Sequence, residues 1–171
     1  MPCRIRFATA ADADTLHRFI CQLAEYEREP DAVEVTPQTL REQLSQSRPP
    51  FECLLAERTE PAPTVALGFA LFFHNYSTWR GKPGLYLEDL FVPVEHRGDG
   101  VGAALLTALA RLARQRGCAR MEWSVLDWNA PAIGFYERLG ARPMTGWSTY
   151  RLTDAPLEQL AASGQAIEPA R

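Results

Sequence analysis

The sequence predicts one α+β (α/β) domain with a mixed, mostly antiparallel central sheet flanked by helices. Three observations carry this reading. FECLLAE and VALGFALFF are β-type runs separated by the turn-rich TEPAPT, and GLYLEDLFV followed by an apolar helical stripe and RMEWSVL makes a strand–helix–strand unit. A further helical stripe precedes them all, at Leu16, Phe19, Ile20, Leu23 and Ala24.

In chain order, IRFA from Ile5 reads as an edge strand. The stripe from Leu16 to Ala24 follows i, i+3, i+4, i+7, i+8 spacing, with Asp12 placed to cap its helix. Thr36 to Leu44, after a proline-containing loop, suggests a second, shorter helix. FECLLAE and VALGFALFF then form a hairpin, and GLYLEDLFV, beyond the polar HNYSTWRGKPG, is a more buried strand. Val101, Leu105, Ala108, Leu109 and Leu112 share a helical face that closes on Arg114, Arg116 and Gly117. RMEWSVL is the next strand, and PAIGFYERL a helix with proline in its first turn and Gly140 past its end. WSTYRL is expected to close the sheet. The domain is expected to span residues 1–153, with a short helix and tail over 154–171. No repeat, low-complexity stretch or internal linker interrupts this plan.

Composition narrows the function. The chain has 171 residues, 46% hydrophobic and 23% charged, enough for one domain with a real core and ordinary for a soluble protein. No window approaches the roughly 18 apolar residues of a membrane helix, and MPCRIRFATAADAD lacks a signal-peptide core, so a cytoplasmic protein without a membrane partner is expected. Cys3, Cys21, Cys53 and Cys118 are scattered, as are His17, His74 and His96, which predicts free thiols and no metal site. A net charge of −3 argues against a nucleic-acid partner. Lys82 is the only lysine among eighteen basic residues, which we read as genomic base bias.

The segment EHRGDGVGAALL sets three glycines before a helix. Backbone N–H groups exposed at a helix N-terminus favour an anion, and glycine permits both positive φ and close approach. Arg97 can add a charge-assisted contact. The P-loop and the dinucleotide-binding fingerprint both fail on spacing. An adhesion reading of Arg97-Gly98-Asp99 rests on three residues only, and a plain tight turn is the remaining alternative.

R-x-x-G-x-G at Arg97, Gly100 and Gly102, followed about thirty residues later by DWNAPAIGFYERLGA, resembles the GNAT superfamily of acetyl-CoA-dependent N-acetyltransferases. Within it the chain is similar to the diamine (spermidine/spermine) and thialysine acetyltransferase group, from RFATAADAD through LAEYE, LYLEDLFV and RGDGVG to GFYERLGA and Trp147. SVLDWN is closer to the thialysine type. The resemblance implies a GNAT fold, acetyl-CoA as cosubstrate, a small cationic amine as acceptor and a homodimer.

Direct attack of an amine on a thioester requires a base, because an aliphatic ammonium has a pKa of ~10.4. Glu88 and Asp89 interrupt an apolar strand, where carboxylates are costly unless compensated. Alternation sends them to opposite faces unless a bulge intervenes. The resemblance favours Glu88 as base, acting through water, and Asp89 as a substrate contact; partnership in a buried hydrogen-bond network is the alternative for each. Tyr136, with a phenol pKa of about 10, can protonate the leaving thiolate, or else anchor its helix at a spacing shared with Ile133 and Leu139.

By resemblance, backbone groups of Leu90, Phe91 and Val92 near Pro93 meet the thioester and pantetheine. Arg97, Gly98, Asp99, Gly100, Val101, Gly102 and Ala103 then cradle the pyrophosphate. Asn129 contacts the pantetheine arm, caps a helix before Pro131, or does both. Tyr26 and Glu27 match substrate-contacting positions, Trp79 and Trp147 are candidate walls of an amine pocket, and Glu122 is a further strand carboxylate. The spermidine enzymes carry acidic residues before the position of Trp147, where this chain has PMTGW. That shifts the expectation toward thialysine-like or other small primary amines. A protein or peptide acetyltransferase and a non-catalytic coenzyme A sensor are the alternatives.

Overall fold

The computed structural model describes residues 3–164 and Ile167. The chain divides after Ser124 into two compact units. The first holds β1 (Arg4–Phe7), α1 (Ala13–Glu27), α2 (Pro37–Leu44), β2 (Glu52–Arg58), β3 (Val65–Ser77), β4 (Lys82–Phe91), α3 (Val101–Gln115) and β5 (Met121–Glu122). The strands form one sheet in the order β1-β2-β3-β4-β5. Each of the first four runs antiparallel to its neighbour, and β5 returns parallel to β4 after the α3 crossover. The expected mixed, mostly antiparallel sheet with flanking helices is what the chain forms.

The helical stripes are buried in part: Leu16, Phe19, Val101, Leu105 and Leu109 are buried, while Ile20, Leu23, Ala24, Ala108 and Leu112 are half-buried. Ala13, Leu16 and Phe19 of α1 and Leu40 of α2 join Cys53, Leu55, Phe69, Leu71 and Phe91 in one apolar cluster. Within it Phe19 stacks on Phe69 at 5.8 Å and tilts onto Phe91 at 6.1 Å, which fixes α1 against the end of β4. Val101, Leu105, Leu106, Leu109 and Ala113 are the buried residues of α3.

Asp12 precedes α1 as expected but does not cap it with its side chain. Its carboxylate instead accepts from the Thr9 backbone N–H at 2.8 Å and from both terminal nitrogens of Arg6, at 2.7 and 2.8 Å. Arg6 also donates to Glu57 Oε1, from Nη2 at 2.6 Å and Nε at 3.0 Å. An arginine on the edge strand outcompetes a helix N-terminus for that carboxylate because the charge-assisted, two-nitrogen contact is the stronger one.

Two strand expectations are corrected. RMEWSVL pairs only at Met121 and Glu122, and residues 123–126 lie outside the ladder. WSTYRL, in the second unit, is not a strand and does not close the sheet. A β-type residue pattern becomes a strand only when a backbone partner satisfies it, and a turn at Gly146 (φ +89°) leads into a segment whose Tyr150 is 94% exposed. That unit contains α4 (Ala130–Arg138) and α5 (Asp154–Ala162). The expected tail lies outside the described residues except for Gly164 and Ile167. Among the described residues no helix is long and apolar enough to cross a membrane, and no cluster of three or more His, Cys, Asp or Glu has metal-site geometry.

Glu57 is buried, so removing Arg6 leaves its carboxylate only the longer contact to Arg4 Nε at 3.8 Å. Arg6→Ala is expected to cost about 2–4 kcal/mol in urea denaturation at pH 7. Arg6 holds the Asp12 carboxyl down at about 2, from 3.8. A depressed folded pKa contributes stability above pH 4 that is lost as pH falls toward 2, so the gap between Arg6→Ala and the parent chain should narrow only below pH 4.

Candidate active site

The site begins with a slip in the β3–β4 ladder. Leu71 pairs with Asp89 and Phe72 with Leu87, leaving Glu88 without a partner on β3. This is the bulge that strict alternation leaves out, and with it the two carboxylates need not face opposite sides. Glu88 is exposed and Asp89 half-buried. Burial, then the negative charge of Glu88, then that of Glu27 push the Asp89 carboxyl up to about 6. Burial also raises Glu27, at the last position of α1. Glu88 at the bulge and Glu27 at the end of α1 are thus the negative charges that act on Asp89.

Over the same stretch β4 loses its neighbour. The β4–β5 ladder ends at the Tyr86–Glu122 pair, so Leu87 to Phe91 have no strand on the β5 side among the described residues. Leu90 and Phe91 still pair with Ala70 and Phe69 on the other side, and Val92 and Pro93 lie past the strand. Gly68 of β3 makes the close approach possible here: a Cβ on it would lie 2.6 Å from the Phe91 carbonyl oxygen.

The glycine loop follows. Gly98 (φ +87°) and Gly100 (φ +81°) are both left-handed, and Gly100 caps α3 with no side-chain acceptor. Ala104 makes the first helical hydrogen bond, to Gly100 O at 2.9 Å, so the amides of Val101, Gly102 and Ala103 precede the helical ladder. A Cβ on Gly98 or Gly100 would meet nothing within 4 Å, so conformation, rather than crowding within the free protein, requires glycine there. Residues 97–100, Asp99 included, are exposed. Uncapped amides, the helix dipole and left-handed backbone together make an anion cradle.

Arg97 Nε donates to Val92 O at 2.9 Å, and its guanidinium carbon lies 4.6 Å from the centre of the Tyr26 ring. The structure thus joins Tyr26 to the glycine loop, a link the sequence did not suggest.

The other expected site residues fall in both units. Trp79 sits 90% exposed in the β3–β4 turn. Lys82 and Asp89 stand at opposite ends of β4, about 20 Å apart at ~3.3 Å per residue, with the Trp79 turn beyond the Lys82 end. Glu122 is engaged by Arg120 Nε at 2.8 Å and Asn75 Nδ2 at 3.1 Å. In the second unit, Asn129 is 8% exposed and accepts from Ala132 N–H at 3.3 Å, as a cap of α4. Tyr136 is half-buried on that helix, its ring 5.4 Å from Phe135, and Trp147 is 72% exposed.

The chain is similar to known acetyltransferases. The model of the acetyltransferase (GNAT) family matches residues 16–141. Thialysine N-epsilon-acetyltransferase of Sus scrofa is 37% identical, with 92% of this chain and 96% of that protein covered. L-ornithine N5-acetyltransferase of Arabidopsis thaliana is 34% identical, covering 92% and 87%. An integron cassette protein from the mobile metagenome of V. cholerae superposes with a TM-score of 0.77 at 26% identity, covering 95% of this chain and 99% of that one.

The raised carboxyl of Asp89 has a stability consequence. Its folded pKa of about 6 lies above the ordinary 3.8, so the folded state holds the proton more tightly and stability falls as pH rises through that interval. Asp89→Asn should therefore raise Tm at pH 7.5, by the equivalent of about 1–3 kcal/mol, and make no difference near pH 3.5. Thermal unfolding at the two pH values checks this.

Proposed function

Because the chain belongs to the acetyltransferase (GNAT) family and is an N-acetyltransferase, we propose that it transfers acetyl from acetyl-CoA to the primary amine of a small cationic metabolite of the thialysine or diamine type. The observation that carries the choice of acceptor is the negative charge of Glu88 and Glu27 acting on Asp89 at the bulge. A single acidic seat suits one ammonium, and PMTGW supplies no carboxylate before Trp147 for the distant charge of a long polyamine. Relatives named for thialysine and L-ornithine support an amino acid with a terminal amine.

Acetyl-CoA supplies an acetyl group activated as a thioester. The residues present fit it: left-handed Gly98 and Gly100, the uncapped start of α3 and the unpaired edge of β4 are the kind of cradle its diphosphate and pantetheine need. In this reading Arg97 to Ala103 hold the diphosphate, backbone groups of Leu90 to Val92 hold the arm and polarise the thioester carbonyl, and Asn129 contributes a side-chain hydrogen bond. Asp89, Glu27 and Tyr26 hold the ammonium. Glu88 accepts its proton through water, and the Tyr136 hydroxyl donates one to the departing sulfur. We also propose a homodimer, to be tested by sedimentation equilibrium.

Thiol release from acetyl-CoA, measured over thialysine, lysine, ornithine, diamines, spermidine, spermine and a basic peptide, tests the reading. Turnover is expected on the small primary amines. Exclusive turnover of the peptide would assign a protein acetyltransferase, and calorimetric binding of acetyl-CoA without any turnover would favour a sensor. Tyr136→Phe should lower kcat by about 100-fold with little change in acetyl-CoA affinity. Gly100→Val, which forces a β-branched residue to φ +81°, should abolish that affinity.

A further inference from the structure

Arg97 touches three parts of the proposed site at once. Its guanidinium carbon lies 4.6 Å from the Tyr26 ring centre at the end of α1 and 5.9 Å from the Phe91 ring at the end of β4. Its Nε donates to the Val92 carbonyl. A guanidinium carries five N–H donors in one plane, so its faces can stack while its edge donates. Here Nε is engaged, and the two terminal nitrogens have no hydrogen-bond partner among the described residues, on a side chain that is exposed. The guanidinium lies over the Tyr26 ring while its terminal nitrogens remain available to an anion.

Tyr26 is in turn the residue before Glu27, whose charge is felt by Asp89. Phe19, on the same helix, packs against Phe91, so the end of β4 and α1 already share one rigid contact. A constraint placed on the Tyr26 ring from the loop side is thus placed on the helix end that presents Glu27.

We propose that Arg97 is a positioning residue that couples the two substrate sites: a diphosphate bound at its edge holds the guanidinium flat on Tyr26, which fixes Glu27 beside Asp89 for the incoming ammonium. This rests on the cofactor-loop reading above. The coupling is reciprocal, so coenzyme A tightens amine binding and the amine tightens coenzyme A by the same factor. Tyr26 then affects cofactor affinity without touching the cofactor.

The test is calorimetric titration of coenzyme A into the parent chain, Tyr26→Phe, Tyr26→Leu, Arg97→Met and the Leu/Met double variant, with KM for thialysine measured at several acetyl-CoA concentrations. Tyr26→Phe keeps the ring and should bind like the parent. Tyr26→Leu should bind coenzyme A about two- to five-fold more weakly and raise the thialysine KM by a similar factor. In the Arg97→Met background the Leu substitution should have no further effect on coenzyme A affinity. Arg97→Lys keeps the charge in an exposed loop but loses the planar face, and should make the thialysine KM independent of acetyl-CoA concentration. That variant decides the matter should Tyr26→Leu fail to fold. Parent-like coenzyme A binding by Tyr26→Leu, or losses that multiply in the double variant, would overturn the coupling while leaving the cofactor loop intact. A parent chain that does not bind coenzyme A would sink the loop reading and the coupling together.

Discussion

The one-residue slip at Glu88 is the constraint on which the site depends. Without it β4 would alternate regularly, and a strand otherwise made of Leu85, Leu87, Leu90 and Phe91 would send its two carboxylates to different surroundings. With it, Asp89 stays in register opposite Leu71, half-buried and within the field of Glu88 and Glu27. An apolar strand is a poor place for a carboxylate, and the raised Asp89 pKa reports that cost. A bound cation relieves it, which is why desolvation that weakens the fold can serve binding.

The same strand end carries the proposed cofactor side. Past Tyr86, β4 has one neighbouring strand instead of two, so backbone that a full sheet would consume stays available. Gly68 lets β3 approach the Phe91 carbonyl closely, and Phe19 locks the Phe91 ring from the α1 side. Immediately beyond, the left-handed residues at Gly98 and Gly100 turn the chain into α3. An acidic seat and an anion cradle are therefore separated by one strand end, with Arg97 on the cradle side bearing on Tyr26 of the other.

Much of this was legible in the residues because it is local. The stripe of Leu16 and Phe19, the alternation in VALGFALFF, the face of Leu105 and Leu109 and the punctuation at Gly100 and Gly117 each encode an element within a few residues of itself. What was not legible is pairwise. A bulge belongs to two strands, so Glu88 shows it only against Leu71 and Phe72. Arg6 meets Asp12 and Glu57 from three elements, and that competition removed the expected side-chain cap of α1. WSTYRL has β-type residues and lacks a backbone partner among the described residues. The separation of the Trp79 turn from Asp89 was not legible either, because sequence gives composition without distance along a strand. Gly68 did carry a signal, since an isolated glycine within a strand run marks a close backbone approach.

The division of labour between the two carboxylates in the proposed reaction follows from electrostatics. A carboxylate in direct contact with an ammonium stabilises its protonated form and so raises the barrier to removing the proton. The group that holds the cation is therefore badly suited to deprotonate it. Asp89, half-buried and left unneutralised in the free protein, gains most from direct pairing. Glu88, exposed at the bulge, keeps access to water and can take the proton at one remove. Once the amine is neutral its attraction to Asp89 drops, and the lone pair is released for attack at the stage when it is needed.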